Sequence, residues 1–305
     1  MITLLSTWTF GLSLALVALG VFVSYRLFSF PDITTDGSFT LGAVVTAVFM
    51  AGGADPAVAT LAGMAAGASA GTVTGFLHAS LGVEPLLSGI LVTTALASVN
   101  LVVLGRSNQP LSGMTTLFDR SSTAIGPWIA AVSDCDPTTA DEAARTLFAL
   151  ACVAIACSML YLFFRTSLGT AMRAGGDTRS MARALGRNTG AMTVAGLAIA
   201  NALTALAGGL VAQVQRFADV QMGIGMVVWG MASVFLGAAL VGPARLAGGL
   251  VATAAGSVAF RLLVASALRA GLHPDWLKAA TAAVVLLALV GPKLIASVRP
   301  SPTLR

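Results

Sequence analysis

Apolar stretches of about twenty residues recur from position 8 to position 294, separated by short polar turns, and this constrains the fold more than any other feature of the chain. In hydrocarbon every backbone N–H and C=O must find its partner within the protein, which leaves helices or closed barrels as spanning structures. The runs are continuous and rich in Ala, Leu and Gly, without the alternation of a barrel strand, so helices are expected. Hydrophobic residues make up 57% of the chain and charged residues 10%, far from the balance of a soluble domain.

Apolar length and polar flanks place spans at 8–26, 37–51, 56–77, 85–104, 144–164, 191–213, 222–241, 246–268 and 276–294. The expected fold class is therefore an all-α, polytopic membrane helix bundle of about nine transmembrane helices, with eight to ten compatible with the length, in a single domain over 1–305. The opening residues carry no basic region or small-residue cleavage site and read as a retained first span. Cys152 and Cys157 fall in one apolar helix on different faces and Cys135 in a loop, which suggests no disulfide framework.

The net charge of +5 comes mostly from loop arginines, so it reports orientation and gives no support for nucleic acid. With the arginine-rich loop 165–190 in the cytoplasm, ten basic residues fall inside and five outside, which favours a cytoplasmic C-terminus. The second span is short, and a broken or re-entrant element there would change the side of the N-terminus.

Several polar features interrupt the spans. Residues 30–43, FPDITTDGSFTLGA, carry two aspartates beside apolar helices, which suits either discontinuous helices lining a pathway or a cytoplasmic turn with Asp36 capping the next helix. Gly63, Gly67, Gly71 and Gly75, with Ala59 in register, form a small-residue stripe for close helix packing. His78 with Glu84 suits a hydrogen-bonded pair or a satisfied interfacial histidine. Thr93, Thr94 and Ser98 suit bonds to their own helix, whereas the carboxamides of Asn100 and Asn201 call for partners on another helix or a solute. The outer loop 105–143 suits an amphipathic surface helix with Trp128 as anchor.

The most polar segment is 165–188, with five arginines against Asp177. Asp177 suits a helix N-cap, Thr178 to Leu185 give two turns, and Gly186 stands where a left-handed C-cap belongs. Arg179, Arg183 and Arg187 then share one side and repel. Either a solvated, positively charged cytoplasmic helix or a docking helix for an acidic or grooved partner accounts for it.

Chemistry is sparse. No G-x-x-x-x-G-K-[ST] loop exists, Lys278 and Lys293 being the only lysines, and two distant histidines make no zinc motif. No nucleophile–base set suggests an enzyme, and every acid falls in a loop or at a span edge, which weighs against proton- or sodium-coupled transport.

Three stretches carry a resemblance: FPDITTDGSFTLGA, the run 74–108, and TSLGTAMRAGGDTRSMARALGRNTGAM over 166–192. They are similar to the permease subunits of ABC importers of the branched-chain amino acid/ribose type, nearest those associated with tryptophan or tyrosine uptake. The resemblance implies a type II importer-like bundle in the cell membrane that imports a small solute. It implies a second permease copy, two cytoplasmic ATPase subunits that use the ATP and magnesium, and an extracytoplasmic solute-binding protein. No cofactor is implied in this chain itself. It carries a coupling helix onto Asp177 to Gly186, including Thr178. Met181, Ala182 and Leu185 would be its inserted apolar face, with Arg173, Arg179 and Arg183 at the rim. The Glu-Ala-Ala signature of maltose-type permeases is missing. Thr35, Asp36, Ser38, Thr94, Ser98 and Asn100 are the expected pathway residues. The competing expectation is a secondary transporter or facilitator that needs no ATPase.

Overall fold

The computed structural model describes residues 2–133, 136–177, 186, 188–241 and 246–271, with single positions at 279, 282, 283 and 286. Helix α1 (Ile2–Val21) runs into a π-helical turn (Phe22–Leu27), and α2 (Thr34–Ala51), α3 (Pro56–Leu81) and α4 (Pro85–Leu104) follow. Strand β1 (Asn108–Pro110) leads to α5 (Leu117–Ser133), α6 (Pro137–Arg165), α7 (Ser167–Asp177) and α8 (Thr189–Gln215). Strand β2 (Phe217–Asp219), α9 (Met226–Val241) and α10 (Leu246–Arg269) complete the described order.

The boundaries have local causes. Helices α3, α4 and α6 each begin with proline at the first helical position, where its missing N–H costs nothing and its fixed φ suits the turn. Asp55 caps α3 by accepting from Ala57 N at 2.8 Å, and Asn188 caps α8 by accepting from Ala191 N at 3.0 Å. Helices α3 and α4 stop at Gly82 and Gly105, both left-handed with φ of 71° and 67°.

Six of the described helices have the length and apolar character to cross a membrane: α1 with its π turn, α3, α4, α6, α8 and α10. The expected second and seventh spans appear as helices α2 and α9, which do not meet that measure. Of the expected ninth span, 276–294, only four single positions belong to the described residues.

Helix α8 lies at the centre, packed most extensively on α3 and also on α2 and α1. The small-residue stripe of α3 makes this possible. An added Cβ at Gly67 would meet Asn201 O at 2.6 Å, at Gly71 Asn201 Cβ at 2.8 Å, and at Gly75 Val194 Cα at 2.6 Å. Gly63 approaches α2 in the same way, with Gly42 O at 2.7 Å. Backbone-to-backbone contact of this kind supplies dispersion energy that lipid tails cannot match. The inner side of α1, Leu12 to Val23, is buried with Phe30, Phe39, Phe164, Leu197 and Leu210.

On the opposite side of the bundle lie Leu61, Val73, Phe76, Val102, Ile155 and Met159, all exposed, which is the reverse of a soluble fold and suits lipid or a second copy. Helix α5 is amphipathic as expected and packs on α6, leaving Trp128 70% exposed.

Candidate functional site

Between the π turn and α2, the chain leaves helical form over residues 28–33 while still inside the bundle. Freed backbone groups in such a place need partners. Phe30 N donates to Ser24 O at 3.0 Å, and Ile33 O accepts from Thr93 Oγ1 of α4 at 2.9 Å. Asp32, 5% exposed, accepts from Thr34 N at 2.9 Å and from Asn201 Nδ2 at 2.7 Å. Asn201 is fully buried near the middle of α8, and its other amide hydrogen goes to Leu197 O at 3.0 Å. Thr34 Oγ1 bonds Thr74 Oγ1 of α3 at 2.8 Å, so three helices hold the break.

A second break faces it. Helix α9 begins at Met226 inside the bundle, and its N-terminus points at α2. Asp36 accepts from Gly225 N at 3.0 Å and from Val227 N at 2.8 Å, satisfying two of the orphan donors of that helix and placing a carboxylate at its positive end. Gly223 N donates to Thr40 Oγ1 at 3.1 Å, one turn further along α2. Gly225 has φ of 91°, and Gly223 packs directly on Asp36 O, where a Cβ has no room, so the Gly-x-Gly at 223–225 is what this junction requires. The reading of Asp36 as the cap of its own helix is therefore corrected: it caps α9 from the first turn of α2. The loop holding Asp32 is also no exposed turn, and the two carboxylates lie inside the bundle with no salt bridge among the described residues.

The expected pathway residues divide into two sets. Thr35 donates to Asp32 O at 2.9 Å, Asn100 Nδ2 donates to Gly37 O at 3.3 Å, and Ser38 is fully buried, so with Asp36 these four surround the start of α2. The Ser38 hydroxyl and Asn100 Oδ1 are buried without a hydrogen-bond partner. Thr94 and Ser98 lie on the exposed side of α4, and Thr94 bonds its own helix at Ile90 O, 2.8 Å away. His78 Nδ1 pairs with Val83 O at 2.8 Å.

In the coupling segment, Arg173 is exposed on α7, Asp177 ends that helix, and Gly186 is left-handed with φ of 71°. Thr178, Arg179, Met181, Ala182, Arg183 and Leu185 lie outside the described residues.

At the end of the bundle where α8 stops, β1 and β2 pair antiparallel, with Asn108 opposite Asp219. Asp119 gathers the charges there, 2.6 Å from Arg216 and 3.2 Å from Arg145, and Arg145 also reaches Glu142 at 2.9 Å. Partial burial would raise the Asp119 carboxyl, but the backbone and hydroxyl of Thr116 and the two arginines outweigh it and hold the group below the usual carboxylate range. Gln213, buried at the end of α8, ties α3 and α5 together by donating to Thr60 Oγ1 at 2.8 Å and accepting from Leu117 N at 2.9 Å.

Beside this network a cleft of about 290 Å³ enters the bundle. Phe10, Phe39, Phe217, Met222 and Met226 give it an apolar wall, and Gln215, Asp219 and Gln221 give it a polar one. The cleft ends on Met226, the first residue of α9, and so reaches the junction that Asp36 holds.

None of the cleft was singled out in the sequence, because its walls come from α1, α2, α8 and the segment after β2. Asp32 was visible only as one of two loop aspartates. The signal for the second break was Gly223-x-Gly225 directly ahead of an apolar run.

A bundle of apolar helices with two helix breaks meeting inside it defines a class, the polytopic membrane permeases. Residues 3–290 match the family model described as the branched-chain amino acid transport system permease component, and the chain belongs to that family. It is 37% identical over 283 residues to a tyrosine transport system permease protein of Clostridioides difficile (strain R20291), covering 93% of this chain and 89% of that protein. It is 31% identical over 219 residues to an uncharacterised protein of Rickettsia prowazekii (strain Madrid E), covering 72% of this chain and 71% of that protein. No solved structure is a significant match.

Proposed function

We propose that this chain is the membrane permease subunit of an ABC importer for a small solute of the amino-acid kind, and that it performs no catalysis itself. Separate ATPase subunits would supply the energy through the basic cytoplasmic loop 165–190, a second permease copy would complete the pathway, and a solute-binding protein would deliver the solute from outside. The observation that carries this reading is the meeting of two broken helices at Asp36, beneath an open cleft, in a chain of this permease family. Discontinuous helices let a transporter expose polar groups to a solute while the rest of the backbone stays satisfied. Alternating access then needs only a rigid-body movement of the bundle, driven from the docked loop.

The arginines of that loop provide the test. The double variant Arg179→Glu, Arg183→Glu should insert into the membrane normally and fail to co-purify with ATPase subunits; normal assembly would remove the docking assignment. A second reading, an ATPase-independent carrier, is favoured by one observation, the burial of Asp32 and the partial burial of Asp36 inside the bundle, since buried carboxylates serve ion-coupled carriers as relays. Under the importer reading both acids already have structural work, Asp32 at the break and Asp36 at the α9 N-terminus.

A further inference from the structure

The cleft is small, mixed in character, and supplied with one carboxylate. We propose that it binds zwitterionic amino acids with a large apolar or aromatic side chain, Asp219 taking the ammonium group; this rests on the importer reading and names the solute class.

Size sets the first limit. About 290 Å³ stands at the lower end of ligand pockets, enough for a single amino acid and too little for an oligopeptide. The wall sets the second. Three phenylalanines and two methionines offer flat and adaptable apolar surface, which suits an aromatic or branched side chain. A sugar would leave most of its hydroxyls unpaired against that wall, and buried polar groups without partners are strongly discriminated against.

Charge sets the third. Asp219 joins no salt bridge among the described residues, and Gln221 N holds one of its oxygens at 2.7 Å, which fixes the carboxylate and leaves its second oxygen for a solute. No basic residue lines the cleft, so an anion lacking an ammonium group meets Asp219 without compensation. The carboxamides of Gln215 and Gln221, both exposed, are neutral donors for a carboxylate.

The test compares two ligands on one protein. The full chain in lipid nanodiscs is titrated with L-phenylalanine and with 3-phenylpropanoate, which lacks only the amino group. The wild-type chain should prefer L-phenylalanine at least tenfold, Asp219→Asn should reduce the preference to within twofold without weakening 3-phenylpropanoate, and Asp219→Glu should keep it. Phe217→Ala should weaken both ligands about tenfold, and D-ribose should not compete. Equal wild-type affinities, an equal loss of both ligands in Asp219→Asn, competition by D-ribose, or no saturable binding at millimolar ligand overturns the proposal. Capture of ATPase subunits by the same nanodiscs is read separately. Failed capture by the wild-type chain removes the importer reading and leaves the ligand ratio standing, whereas normal capture with no ratio removes only the proposal made here.

Discussion

Asp36 is the residue on which the geometry turns. An ionised or protonated carboxyl at that place still offers acceptors to Gly225 N and Val227 N, and no other side chain reaches those donors among the hydrogen bonds of the described residues. Asp36→Ala should therefore lower stability by about 2–3 kcal/mol, the cost of leaving buried donors unsatisfied, and Asp36→Asn, which keeps one acceptor, by less; thermal unfolding in detergent reads the order. Asp119 carries a pH prediction. Its carboxyl lies below its ordinary value in the folded protein, so its contribution is present above the unfolded-state pKa, about 3.9, and is lost as pH falls through the lower folded value. The unfolding midpoint should drop on acidification below about pH 4, and Asp119→Asn should flatten that slope; an unchanged slope would leave the Asp119 network without a role in acid stability. At this scale the sequence was an uneven guide. A buried asparagine announces a need for partners, so Asn100 and Asn201 stood out, but a carboxylate written between two helices looks like a loop until the loop is seen to fold inward.

The elements show why. Helices α1, α3, α4, α6, α8 and α10 follow from apolar length and flanking polar residues, and proline, glycine and capping residues place several of their ends to within a few positions. Helices α2 and α9 depend on each other across the sequence: each starts inside the bundle, and the bonds that allow this join residues about 190 apart. No local pattern encodes that pairing. The glycine stripe of α3 is the opposite case, since its spacing alone announces close packing, and the structure supplies the partner, α8. Gly71→Val would place a branched side chain against Leu197 O and Asn201 Cβ. It should destabilise the protein by more than about 3 kcal/mol, because backbone on the facing helix cannot yield as a side chain can. Glycine-to-valine exchange at Gly82, where the nearest space is open, strains only the left-handed backbone and should cost less; denaturation of the two variants gives the comparison.

At the scale of the whole molecule, the chain is a membrane permease whose interior is tightly packed around α8 and whose outer surface is apolar over wide areas. Composition and hydropathy determined the membrane class, and the absence of a nucleotide-binding motif pointed to an external source of energy. The cleft stayed hidden, because five separate segments of chain build it and none is unusual alone. Two properties then belong together: a pathway formed by rigid broken helices, and a basic loop through which a partner moves them. Solute accumulation in proteoliposomes separates this from a self-powered carrier. Vesicles containing only the purified chain, under an imposed proton or sodium gradient, should show no uptake of tyrosine against its gradient, and vesicles that also contain the ATPase subunits should accumulate it when supplied with binding protein and MgATP. Concentrative uptake by the chain alone would contradict the account.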